Sequence, residues 1–168
     1  MTLTMHAAAV PTCARALNSL AAILEKAAAH TEARKINPAV LLGTRLFPDM
    51  LPLAMQIQLA NDSARSGAAR LAGAEVPAFE AKERGFPEWI GATRATIAFL
   101  ESLQPAQFEG SADRTITWQT RTSTKSMQGT PYLFHHVLPN VFFHVTTAYD
   151  ILRQSGLEVG KMDYLGRS

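Results

Sequence analysis

Histidine is the side chain whose ordinary pKa lies nearest neutrality, and one of the five in this 168-residue chain sits in a pattern that invites chemistry. His144 lies in the run Leu138-Pro139-Asn140-Val141-Phe142-Phe143-His144-Val145-Thr146-Thr147-Ala148-Tyr149-Asp150-Ile151-Leu152-Arg153. At about 100° per residue, Val141, Val145, Ala148 and Leu152 form an apolar stripe, with Asn140, His144, Thr147 and Ile151 as the stripe beside it. Polar groups bordering a core stripe must be hydrogen-bonded or line a cavity. Two readings follow. In one, His144 faces a small polar pocket as a base or ligand, with Asn140, Thr147 and Tyr149 as neighbours. In the other it is a core histidine that completes a buried network.

The remaining reactive side chains offer less. Cys13 is the single cysteine, so it forms no intramolecular disulfide, and without a histidine nearby in sequence it reads as a small buried hydrophobe. His135 and His136 are adjacent, so on a helix they point about 100° apart and do not converge on one ligand. His6 and His30 have no partner in sequence and read as surface residues. Asp150 is turned about 120° from His144 along the helix and does not complete a ligand set with it.

The elements that would position these groups are helical. Cys13, Leu17, Leu20, Leu24 and Ala27 predict an amphipathic helix over Thr12 to Thr31, starting earlier if Pro11 is accommodated. Asn37-Pro38 breaks the pattern, and Ala39-Val40-Leu41-Leu42 forms at most a brief helix. With Asp49 as N-cap, the face Leu53, Ile57, Ala60, Ala64, Ala68 and Leu71 predicts a second helix over Met50 to Leu71, stopped by Gly73. Its alanine-rich stripe permits close approach of a partner helix. Ala74 to Gly85 reads as a crossover loop, and Pro87 to Leu103 as the third helix. Thr115 to Thr122 is dense in β-branched and aromatic residues, which predicts a two-stranded hairpin anchored on the bundle by Trp118. Pro139 to Ser155 is the fourth helix, preceded by a turn or two from Pro131 and stopped by Gly156. Leu157 to Ser168 has no period and reads as an extended tail over the surface or across a subunit partner. The expected fold is all-α: one domain, 1–168, built as a four-helix bundle with a small hairpin between the third and fourth helices.

Composition excludes several function classes. Hydrophobic residues make up 47% and charged residues 18%, a globular balance rather than a disordered one. The 16 basic and 14 acidic residues are spread along the chain, without the dense basic stripe of a nucleic-acid-binding protein. No run approaches the roughly 18 uninterrupted apolar residues of a membrane span. Without a signal-peptide pattern at the N-terminus, the expected location is cytoplasmic.

Three segments carry a family resemblance. Phe47-Pro48-Asp49-Met50 through Gln56-Ile57-Gln58, then Ala69-Arg70-Leu71-Ala72-Gly73, and the His144 run itself resemble a bacterial family of unknown function beside the DinB/YfiT-like four-helix bundles. The resemblance implies the bundle fold and a homodimer. Members of that superfamily often hold a divalent metal with three histidines, one from the second helix and an His-xxx-His pair from the last. The matching pair here reads Asn140-xxx-His144, and the second helix has no histidine. Gln56, Gln58 and Asn61 are the polar candidates there, and neutral amides are weak ligands for zinc or nickel. The expectation is therefore a bundle without a tightly bound metal or other cofactor. Two functions fit: a dimeric module binding a small molecule or partner through His144 and these polar residues, or a metal- or histidine-dependent transferase or hydrolase acting on a small thiol or related substrate.

Overall fold

Thr4 sets the start of the first helix, its hydroxyl accepting from the backbone N–H of Ala7 at 3.1 Å, and α1 then runs Met5–Ala33. This computed structural model describes residues 3–78, 85–120 and 122–167. The helix begins seven residues before Thr12 because Pro11 is tolerated inside it: the carbonyl that loses its donor belongs to exposed Ala7, where water can satisfy it. Asn37 caps the short α2 (Pro38–Leu42) through its side chain.

The second long helix, α3, spans Leu53–Ala72 and departs from expectation at its start. Asp49 is not its cap. Pro52 occupies that position and disfavours helical backbone at Leu51, so residues 47–50 form a turn closed by Met50 N–H on Phe47 O at 3.0 Å. At the other end Gly73 adopts φ +66°, the left-handed stop expected there. Next come α4 (Phe86–Ser102), a 3-10 turn at Pro105–Phe108, and the antiparallel hairpin of β1 (Thr115–Gln119) and β2 (Thr124–Gln128). Ile116 and Trp118 turn inward from β1 while β2 is exposed throughout, so the hairpin leans on the bundle through one strand, with Trp118 as anchor.

The fourth helical segment is continuous from Gly129 to Gln154 but not uniform. It comprises α5 (Gly129–Tyr132), a π-helical turn at Leu133–Val137, and α6 (Leu138–Gln154). The wide turn is marked by Leu138 N–H bonding Leu133 O, and it lies immediately before Pro139, which has no N–H to continue the α pattern. The tail does not extend away. Leu157 and Val159 are buried, and a single-turn α7 (Lys161–Tyr164) folds back against α1. Lys26 pairs with Asp163, and Arg15 Nη2 donates to Leu165 O at 3.1 Å. One helical turn has no periodicity to read, which is why the sequence suggested extended chain.

In the assembled bundle α1 packs chiefly on α4, and α3 on α6, around one core that includes Leu17, Leu24, Ile57, Leu100 and Val145. Among the described residues, α1 alone could cross a membrane by length and mean hydropathy, contrary to the expectation from uninterrupted runs; 61% of its most apolar window is buried inside the fold, as in a core helix. Ala60, Ala64 and Ala68 are buried on α3, whose chief neighbour is α6. Gly67, on the same helix, brings α3 against the π-turn, and a Cβ at this position would sit 2.5 Å from a Val137 methyl.

Candidate functional site

His144 and Gln56 meet across the α3–α6 seam, His144 Nδ1 lying 2.7 Å from Gln56 Oε1. Gln56 is buried, and its amide nitrogen donates to Leu51 O at 3.1 Å, which fixes which end of the amide faces the imidazole. An amide oxygen only accepts, so Nδ1 carries the hydrogen and the lone pair of the neutral ring sits on Nε2. Burial of the half-buried ring pushes the His144 pKa below the ordinary histidine value, which favours that neutral form. Phe143 stands edge-on to it, ring centroids 5.3 Å apart.

The other residues singled out from sequence do not gather around His144. Thr147 donates back to Phe143 O at 2.8 Å. Tyr149 packs edge-on to Tyr164 on the opposite, α7 side, with centroids 6.0 Å apart. Asn61 turns into the bundle, donating to Ile57 O and to Thr93 Oγ1 of α4 at 2.9 and 3.0 Å. Gln58 is half-buried on the next face of α3. Asn140 reaches backward, its Nδ2 donating to His136 O at 2.6 Å across the π-turn. Of the histidines read as surface residues, His6 is half-buried, with Nε2 3.0 Å from Leu103 O and its ring edge-on to Phe108. His30 is half-buried too, in the last turn of α1.

The polar groups that do converge lie one turn before Asn140. Between α3, the hairpin and the π-turn is an open pocket of about 240 Å³. Helix α3 contributes Asp62, Ser66 and Arg70, spaced four residues apart on one face, with Ser63 beside them. The opposite wall is Trp118 from β1 with Tyr132 and His136 from the last helical segment, and Asn140 closes the end. His136 is held by ring contacts: its centroid is 4.7 Å from that of Trp118 and 5.4 Å from that of Tyr132, both at shallow angles. Among the described residues neither ring nitrogen of His136 has a hydrogen-bond partner. Arg70 Nη1 donates to the Tyr132 hydroxyl at 3.0 Å, and Asp62 pairs with Arg65 at 2.6 Å. Burial, then the charges of Lys125 and Arg70, push the His136 pKa down. Burial raises that of Tyr132 despite Arg70, so the pocket presents a neutral imidazole and a neutral phenol beside a guanidinium. A larger groove of about 420 Å³ runs between α1, α6 and α7, but its walls are mostly apolar, including Pro11, Ala16, Phe142 and Val145.

Comparison with known proteins places this architecture. The family model for a domain of unknown function, DUF1993, matches residues 5–165. The chain belongs to this family. The crystal structure of a DinB family member protein from Shewanella denitrificans is similar at 36% sequence identity and a TM-score of 0.89, the match covering 96% of this chain and 92% of that one. The DUF1993 chain thus has the DinB-like fold. No curated protein matches it.

The three-histidine metal set of DinB-like proteins does not fit the residues present. The Gln56 oxygen is engaged by His144 Nδ1 and the Asn140 amide by the His136 carbonyl, so neither turns toward His144 Nε2. Among the described residues, no three His, Cys, Asp or Glu side chains come together as a metal-binding group. Sequence reasoning missed the Arg70–His136 pocket although part of its signal was present: Asp62, Ser66 and Arg70 form a polar i, i+4, i+8 stripe on the side of α3 away from the alanine stripe.

Proposed function

We propose that this DUF1993 chain is a homodimeric module that binds a small molecule without a metal or other cofactor, and that its binding site is the pocket between α3, the hairpin and the π-turn. The observation that carries this reading is His136, clustered with the rings of Trp118 and Tyr132 while, among the described residues, neither of its ring nitrogens has a protein partner. Polar groups left unpaired beside an apolar wall are the usual makeup of a ligand site, and 240 Å³ suits a compound smaller than a typical drug. A thermal-shift screen of small polar metabolites tests it. Stabilisation by at least one compound class, lost in both His136→Ala and Trp118→Leu, supports the site; a hit unaffected by either variant refutes its position.

The dimer reading draws on Phe134, Phe142 and Phe143, all exposed along the last helical segment, apolar rings that a second copy could cover. Light scattering decides it: a mass of two chains is expected, and a monomer at about 50 µM, well above the concentration at which micromolar dimers form, refutes it. A second reading, a histidine-dependent transferase or hydrolase, is favoured by the neutral state of His136 and His144 near pH 7. Turnover of a thioester or ester panel that disappears in His136→Ala or His144→Ala would establish it over the binding module.

A further inference from the structure

The pocket's charges identify the kind of ligand it takes. Arg70 is anchored by one hydrogen bond to Tyr132, and its other N–H groups have no protein partner among the described residues. One turn along α3, the hydroxyls of Ser63 and Ser66 border the same space, again without a protein hydrogen bond among the described residues. Trp118 pairs with Lys125 across the hairpin, and Lys125 and Arg70 both act electrostatically on the His136 ring. Among the described residues of the lining the one carboxylate, Asp62, is paired with Arg65. Among the described residues, Arg70 and Lys125 are thus the cations that reach the His136 ring, and the donors without a protein partner are the rest of a planar guanidinium fork and two hydroxyls.

That combination suits an oxyanion. Guanidinium forks bind carboxylate and phosphate through paired, charge-assisted hydrogen bonds, and serine hydroxyls supply further donors to the same oxygens. Trp118, Tyr132 and Val137 leave an apolar wall opposite, against which a short hydrocarbon or aromatic body can rest.

Resting on the reading of this pocket as the binding site, we propose that its ligand is a small organic oxyanion, a carboxylate or phosphate monoester with a compact apolar body, whose charged head is held by Arg70 with Ser63 and Ser66. Lys125 acts from the rim as a steering charge, and Asn140 serves as a positioning residue, tying the π-turn that carries His136.

The test is calorimetric titration of the full-length protein with benzoate, phenyl phosphate and the uncharged benzamide, in the wild type and in Arg70→Gln, Trp118→Leu and Lys125→Gln. Loss of a charged hydrogen bond predicts that at least one of the two anions binds about tenfold or more tighter than benzamide, and that Arg70→Gln removes this preference. Whichever anion binds tighter identifies the head group. Lys125→Gln weakens anion binding only a few-fold and less so as salt rises, the behaviour of an exposed charge. Equal affinity for benzamide and both anions, with all three lost in Trp118→Leu, overturns the oxyanion assignment and leaves the pocket in place. Anion binding that survives Arg70→Gln, in a variant shown by circular dichroism to be folded, also overturns it. No binding of any probe at about 10 mM, the range of the weakest specific complexes, overturns both the assignment and the site.

Discussion

Substituting Gly67 by alanine places one methyl group in the seam between α3 and the π-turn, where the new carbon would lie 2.5 and 2.7 Å from the Val137 methyls and 3.2 Å from its Cβ. Carbon atoms pack at about 3.5 Å or more, so the two segments must separate locally by about an ångström. Val137 cannot swing aside, because a β-branched residue on helical backbone is confined to few rotamers and carries two methyls in any of them. Alanine in a free helix position would add about 0.5–1 kcal/mol of stability, while overpacking a close contact costs about 1–3 kcal/mol. The expected net is a loss of about 1 kcal/mol, which for a chain of 168 residues lowers Tm by about 2–4 °C.

The partner substitution makes the reasoning testable. Val137 is 2% exposed, and Val137→Ala alone removes two buried methyls at a cost of about 1–3 kcal/mol. In the double variant the methyl introduced at position 67 occupies part of the space vacated at 137, so the two losses should cancel in part. Urea denaturation followed by far-ultraviolet circular dichroism should give a favourable coupling of about 1–2 kcal/mol in the double-mutant cycle. Losses that add to within about 0.5 kcal/mol would refute the claim that contact with Val137 is what requires glycine. Because the displaced turn carries His136, Gly67→Ala should also weaken anion binding, and the double variant should recover part of it.

Three further outcomes follow from the titratable groups. His144 should be the Nδ1–H tautomer, which long-range proton–nitrogen NMR correlations read directly; in Gln56→Leu the preference should vanish, with a cost of about 1–3 kcal/mol from the unpaired donor. Burial lowers the pKa of both His136 and His144 in the folded state, so the unfolded chain binds more protons below the ordinary histidine pKa of about 6.5. The stability that follows from keeping them neutral is fully present above that pH and is lost as pH falls toward the folded values; urea midpoints at pH 7.5 and 5.5 should differ accordingly, and less so in a His136→Gln/His144→Gln variant. The Cys13 thiol, pushed up to about 12 by burial, should resist a thiol reagent in the native protein and react on addition of denaturant, and rapid native-state labelling would contradict its placement in the core.

Much of the fold was legible because its signals are local. The Leu17, Leu20 and Leu24 spacing, Gly73 as a left-handed stop, and the β-branched run around Trp118 each state their element within a few residues. The errors lie where a neighbouring proline overrides a plausible local signal or where distant contacts set the structure. Asp49 is a good cap residue, but Pro52 three positions on prevents the helix from starting there. Residues 157–167 carry no period because their structure is set by Leu157 and Val159 finding the core and by Lys26 and Arg15 reaching from α1, contacts more than 100 residues away in the chain.

The candidate site was half legible for a related reason. The helical wheel that placed Asn140 and His144 on one stripe assumes about 100° at every step, and from Leu138 onward the assumption holds. It fails just upstream, where the π-turn at Leu133–Val137 adds a residue to the turn and rotates everything before it out of phase. On the uniform wheel His136 is simply one turn before Asn140 on the His144 stripe. In the structure the widened turn, braced by the Asn140 side chain on the His136 carbonyl, directs that ring against Trp118 and Tyr132, which also touch each other. Pro139 was visible in the sequence as a helix start, and its other consequence was overlooked: in a continuous helix a proline leaves an upstream carbonyl without its donor, and widening the preceding turn relieves the clash. Asn140→Ala separates the two descriptions of this segment. It removes the brace without touching the pocket's charges, so anion affinity should fall while the preference for anions over benzamide stays. If Asn140 instead serves His144 on a common stripe, the same substitution should change the His144 nitrogen shifts and leave binding at Arg70 untouched.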